Sequence, residues 1–178
     1  MASRQLQALK QRGNHEVGNL NSIKVKTVAH GAVVTGGDVD NFTLVELGFG
    51  ADGERTAKQL SAIDKKAYLI ASPEARYLGE DLVDFYNAEG ERARIVILEE
   101  GYTRFDTSAY AKNTDATEIK NGQVAHFDPA SKKFIISAPG SAHADYAGSS
   151  AQFLVVSSED DLEYVAGKPV VRLEVTKA

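Results

Sequence analysis

The pattern most suggestive of chemistry is Gly48-Phe49-Gly50-Ala51-Asp52-Gly53, a G-x-G-x-x-G run directly after the apolar stretch 41–47. In a dinucleotide-binding unit the first glycine makes a tight turn, the second lets the backbone approach a pyrophosphate, and the third lets a helix pack on the strand. Residues 54–61 would then form the helix and 66–71 the second strand. A ribose-binding carboxylate belongs at the end of that strand, where Ala71 and Ser72 stand. The helix would bury only Ala57, Leu60, Ala62 and Ile63, a thin apolar face. Residues 90–178 read as strands with almost no helix between them, whereas a doubly wound fold alternates the two. The leading expectation is a glycine-rich loop between strands and no cofactor. Gly48, Gly50 and Gly53 are cofactor-binding candidates only under the alternative of a nucleotide-binding enzyme.

Other reactive groups are sparse. His15, His30, His126 and His143 include no pair at the i, i+4 spacing of a helical zinc site. His143 and Asp145 offer two side chains on one face of a strand, one short of a typical three-ligand set, so no metal is expected. The acidic groups Glu99-Glu100 and Glu159-Asp160-Asp161 lie in turns, where solvated charge is the default. The spacing at 159–163 is not that of an EF-hand loop. Gly148-Ser149-Ser150 lacks the strand-to-helix turn of a nucleophile elbow, so no catalytic residue is assigned and the chain is read as a non-enzyme. The aromatic residues Phe85, Tyr86, Tyr102, Phe105 and Tyr110 suit the core of a β-rich domain.

The elements that would position these groups are short strands. Residues 169–176 alternate, with Val171, Leu173 and Val175 on one face and Arg172, Glu174 and Thr176 on the other. Residues 122–127 and 133–137 flank Asp128-Pro129-Ala130-Ser131-Lys132, a turn with proline suited to its second position, and predict a hairpin. Further strands are expected at 23–28, 41–47, 66–71, 92–98 and 152–157, with short helical segments near Leu6, Gln59 and Val83. The fold class is mostly β: two small β-barrel or β-sandwich domains, 21–111 and 116–178, divided at the polar stretch 112–116, with an extended N-terminal arm over 1–20.

The 178 residues are 43% hydrophobic, enough for a packed core, and contain no cysteine, which excludes disulfides and thiolate-held zinc. No stretch reaches the roughly 20 apolar residues of a membrane span, and a soluble protein made without export is expected. The net charge of −5 divides unevenly: residues 1–30 carry +4 and the remainder −9. An acidic body repels phosphate, so neither nucleic acid nor membrane is expected as a partner. A basic arm instead suits docking on an acidic protein surface.

Residues 122–134, Gly-Gln-Val-Ala-His-Phe-Asp-Pro-Ala-Ser-Lys-Lys-Phe, resemble the hairpin of small β-barrel decoration, or cement, domains of tailed-phage capsids. The first half is similar in texture to structural proteins of phages of Gram-positive bacteria, in Ala67-Tyr68-Leu69-Ile70-Ala71-Ser72-Pro73-Glu74 and in Leu82-Val83-Asp84-Phe85-Tyr86-Asn87. Residues 45–50 are also similar to the glycine motif of S-adenosylmethionine-dependent methyltransferases, against which the same objections stand.

The capsid resemblance implies no catalytic residue. It implies a virion protein on the capsid surface, assembled in the host cytoplasm, that bridges major capsid protein subunits, with a second copy of itself as a further candidate partner; a tail or baseplate place is the variant reading. The size exceeds that of one small barrel. The contact residues expected on the arm are Arg4, Lys10 and Arg12 for charge, and Leu6, Leu9, Val17 and Leu20 for burial, since charge alone would not offset about 1–2 kcal/mol of ordering entropy per residue.

Overall fold

The computed structural model describes residues 13–74, 81–158 and 162–178. Among them the regular structure is all strand, apart from one 3-10 turn at Leu82–Asp84. The mostly-β class is therefore the one adopted, and no helix of the described residues is long and apolar enough to cross a membrane.

After β1 (Gly18–Leu20) come β2 (Ala32–Val34), β3 (Leu44–Phe49), β4 (Arg55–Gln59), β5 (Tyr68–Ile70), β6 (Arg92–Ala93) and β7 (Ile95–Val96). Strands β2 to β7 make a six-stranded sheet in the order β6-β2-β4-β3-β5-β7. Its two edge strands, β6 and β7, are separated in sequence by Arg94 alone, so the chain that ends one edge begins the other and the sheet curls into a nearly closed barrel. Arg94 ties this junction to the chain just after β5. Its N–H donates to Ser72 Oγ at 3.0 Å, its Nε donates to the Ala71 carbonyl, and its carbonyl accepts from the Ala71 N–H at 3.0 Å.

Successive strand residues point to opposite faces, and over the middle of this sheet both faces carry buried residues, while Phe49, Lys58 and Arg92 are exposed. Val45, Ile70 and Ile95 cluster with Ala32, Val34, Val39, Ala57 and Ala93, while their chain neighbours Leu44, Leu69 and Val96 pack in a second cluster. The first cluster is all alanine, valine and isoleucine, which suits the narrow interior of a small barrel. The second meets the other sheet.

That sheet contains β8 (Arg104–Thr107), β9 (Tyr110–Lys112), β10 (Val124–Asp128), β11 (Lys133–Ser137) and β12 (Gln152–Val155). After a two-stranded ribbon of β13 (Glu163–Val165) and β14 (Lys168–Pro169), β15 (Val171–Lys177) completes it, in the order β1-β8-β15-β12-β10-β11-β9. Strands β8 and β9 are nearly continuous in sequence but lie on opposite sides of this sheet, which curls in the same way. Its core is aromatic: Phe134 meets Phe127 and Phe153 with ring centroids 5.1 Å apart, and Phe105 at 5.6 Å. The strands at 104–112 thus share a sheet with those at 124–177, and the chain passes from one sheet to the other between β7 and β8.

The hairpin forms as predicted, with Asp128 opposite Lys133. The Asp128 carboxylate accepts from the N–H groups of Ala130 and Ser131 at 3.1 and 3.0 Å, and Lys132 turns the chain with a φ of 58°. Val171, Leu173 and Val175 are buried together, as the alternation required.

Three expectations are corrected. Gln59 ends a strand, not a helix, because residues 55–59 pair antiparallel to 45–49. Residues 23–28 make only an isolated bridge, Thr27 to Val96, and Ile23 points into solvent. The third concerns the arm: β1 pairs antiparallel with β8, so the end of the segment expected to be free is an edge strand of the fold. The turn near Val83 forms, and the expected segment near Leu6 lies outside the described residues.

Candidate functional site

The glycine run begins in the last two residues of β3, and residues 50–54 form the turn to β4. Gly50 N–H donates to the Glu54 carbonyl at 2.8 Å, Gly53 N–H to the Gly50 carbonyl at 3.0 Å, and Glu54 N–H to Asp52 Oδ1 at 3.0 Å. Gly53 adopts a φ of 79°, a conformation costly for other residues. The strand that follows replaces the helix whose N-terminus would face a phosphate, so the motif lacks the context that gives it binding power. Gly48 lies in β3 opposite Thr56, and Gly50 and Gly53 are turn residues here.

Of the arm residues, Arg4, Leu6, Leu9, Lys10 and Arg12 lie outside the described residues. Val17 is fully buried, and its N–H donates to Ser108 Oγ at 2.8 Å; Leu20 packs against the larger core cluster. Both side chains are occupied within the chain itself.

The segment between Asn14 and Ser22 is fastened along its length. His15 pairs through Nδ1 with Asp40 at 2.6 Å, stacks on Tyr86 at 4.7 Å between centroids, and donates its N–H to the Val83 carbonyl. Lys168 Nζ reaches the carbonyls of Asn14 and His15, and Glu16 accepts from Ser108 Oγ. Asn21 N–H donates to the Arg104 carbonyl at 2.9 Å. Ser22 Oγ then donates to the Tyr102 carbonyl at 2.8 Å and accepts from Arg104 N–H at 2.7 Å.

These bonds hold the next residue in place. Ile23 is fully exposed, and beside it Tyr102 is 73% exposed, so the pair forms an apolar prominence that the described residues leave uncovered. Grooves of about 790 and 340 Å³ adjoin the pair, the larger lined by Lys24, Val25, Lys26 and Glu99 and the smaller by Asn21, Arg104 and Glu174 among others. Lys26 pairs with Glu99, and Arg104 Nε with Glu174 at 2.9 Å, so an apolar centre sits within a charged rim. That is the usual anatomy of a protein-docking surface.

The remaining candidates are dispersed, with one exception. His30 is exposed in a turn, Ser150 Oγ is bonded to the Lys65 carbonyl, and 159–161 lie outside the described residues. His126 and His143, however, stack with centroids 5.1 Å apart, and Asp145 joins them. Sequence spacing linked only the last two. His126 was missed because a lone histidine inside an apolar strand reads as packing.

The sequence itself carries the origin. A family model described as YonC prophage protein matches residues 11–176. The chain belongs to the YonC prophage protein family. A Bacillus subtilis (strain 168) member, described as an SPbeta prophage-derived uncharacterized protein YonC, is 66% identical over the full length of both chains. No solved structure matches. YonC-family membership makes the chain phage-related, and the matched region spans both sheets up to Thr176.

Proposed function

We propose that this YonC-family protein is a non-enzymatic component of the phage particle that docks, through Ile23 and Tyr102, on a protein subunit of the capsid surface and stabilises it by bridging neighbouring subunits. The observation that carries the reading is the exposed Ile23–Tyr102 pair on a segment pinned by the Ser22 and Asn21 hydrogen bonds. A surface held in its docking geometry loses little entropy on association, so more of the apolar burial remains as affinity. Burying a side chain such as isoleucine is worth about 1.5–3 kcal/mol, and repetition on a lattice multiplies a modest contact.

The rim chooses the partner. Around the apolar pair Lys24, Lys26 and Arg104 outnumber Glu99 and Glu174, a small positive excess on a protein that is otherwise acidic, which favours an acidic protein surface and disfavours a nucleic acid. The prophage family supports a place in phage biology, and a body built of two sheets on a shared core suits a rigid spacer.

Mass spectrometry of gradient-purified particles, from cells producing the phage that encodes this chain, tests the reading. Many copies per particle are expected. Recovery of the chain only from the particle-free lysate would overturn it.

A further inference from the structure

His126 sits in the middle of β10, between Ala125 and Phe127, whose side chains belong to the core. Strand alternation turns the imidazole to the opposite face, where the connection between β11 and β12, residues 138–151, covers it. It is 1% exposed, and neither ring nitrogen has a hydrogen-bond partner among the described residues. An imidazole always carries at least one N–H, and leaving such a buried group unmet costs about 1–3 kcal/mol. Native proteins rarely keep that cost without a use for the group.

The covering connection brings two more donors to the same place. His143 stacks on His126 with an interplanar angle of 24°, and Asp145 Oδ2 lies 3.6 Å from His143 Nδ1. One ligand atom from each of His126, His143 and Asp145 lies within 4.8 Å of the others. The connection is anchored on both sides of the group. His143 N–H donates to Ser137 Oγ at 3.2 Å, Tyr146 N–H to the His143 carbonyl at 3.0 Å, and Gln152 Nε2 to the Tyr146 carbonyl at 2.8 Å.

We propose that His126, His143 and Asp145 bind one divalent transition-metal ion of the zinc class. Two imidazoles and a carboxylate are the donor set such ions accept, and three protein ligands leave a position for solvent at the exposed side. Tetrahedral ligands at zinc distances stand about 3.4 Å apart, so donors within 4.8 Å of one another must draw together by up to about 1.4 Å. His143 and Asp145, on the surface connection, are the ones able to move. Burial holds the His126 pKa below the ordinary imidazole value, and the charge of His143 adds to this, so near neutrality the ring carries a lone pair ready to coordinate. The ion would take up the lone pair of one ring nitrogen, leave the N–H on the other, and tie residues 138–151 to β10. This proposal is independent of the docking surface, which lies on other residues.

Titration of chelator-treated full-length protein with Zn²⁺ alone, followed by calorimetry, tests it, with Co²⁺ absorption as a second readout. One equivalent should bind, Zn²⁺ should raise Tm, and Co²⁺ should give the visible bands of a low-coordinate site. His143→Ala and Asp145→Asn, both on the surface connection, should keep the metal-free Tm and weaken binding by at least about tenfold. His30→Ala should bind as the parent does. Absence of saturable binding at micromolar metal, or binding by His143→Ala equal to that of the parent, would overturn the proposal.

Discussion

Arg172 on β15 stands opposite Asp106 on β8 in the register of the seven-stranded sheet, with its Nε 2.8 Å from Asp106 Oδ1. The Asp106 side chain is completely buried, whereas that of Arg172 is 29% exposed, so the two partners do not depend on each other equally. Tyr164 OH also donates to Asp106, which fastens the β13 strand to the same carboxylate.

The asymmetry predicts different costs. Arg172→Ala strands a buried carboxylate and should destabilise by about 3–5 kcal/mol, the range for breaking a buried pair. Asp106→Asn keeps an acceptor for Tyr164 and leaves an arginine that reaches water, so its cost should be clearly smaller. Urea denaturation of the two variants ranks them, and the opposite order would refute the assignment.

Glu46 gives the protein an acid limit. Burial alone would raise its pKa, but hydrogen bonds from Ser61, Lys65 and Lys58 outweigh burial and hold it at about 2, against an ordinary 4.5. Because the folded value is the lower one, the stabilisation is fully present above pH 4.5 and is lost as pH falls through about 2. The contribution is about 2 kcal/mol once the half-exposed lysines are discounted. Glu46→Gln should flatten the stability profile across that window. A profile with an unchanged slope there would exclude Glu46 as its source.

Phe134 is the aromatic residue with the most ring contacts in the larger core, touching Phe105, Phe127 and Phe153. Phe134→Ala should cost about 3–5 kcal/mol through lost burial and the cavity it leaves. A loss under about 1 kcal/mol in chemical denaturation would place the centre of the core elsewhere.

Deleting residues 2–20 removes β1 and the buried Val17, so it should lower Tm instead of leaving the fold untouched. At about 2–4 °C per kcal/mol for a domain of this size, a fall of about 10 °C is expected. An unchanged Tm would mean that β1 contributes nothing to the sheet.

Local signals made part of this architecture legible in the sequence. The Asp128-Pro129 turn with apolar runs on either side fixed the β10–β11 hairpin, and the alternation of Val171, Leu173 and Val175 fixed β15. What local pattern does not carry is closure. A single residue, Arg94, turns one edge strand into the other, and nothing in its neighbourhood distinguishes it from a residue inside one continuous strand.

The same limit hid both candidate sites. Ile23 alternates with Val25 as a strand residue would, yet the Ser22 bonds lift it into solvent. His126 and His143 meet only because the β11–β12 connection folds back over β10. Residues 55–59 were misread because Ala57 is the only fully buried side chain among them, too little for a period of two to register.

Co-sedimentation of the purified chain with capsids that lack it is the most direct measurement of the docking proposal, comparing the parent with an Ile23→Asp, Tyr102→Ser double variant. Both positions are exposed, so Tm should not change. The parent should pellet with capsids and the variant should bind at least about tenfold more weakly, since each substitution at an interface centre costs about 1 kcal/mol or more. Equal pelleting of the two proteins, or failure of the parent to pellet, would contradict the proposed role of Ile23 and Tyr102.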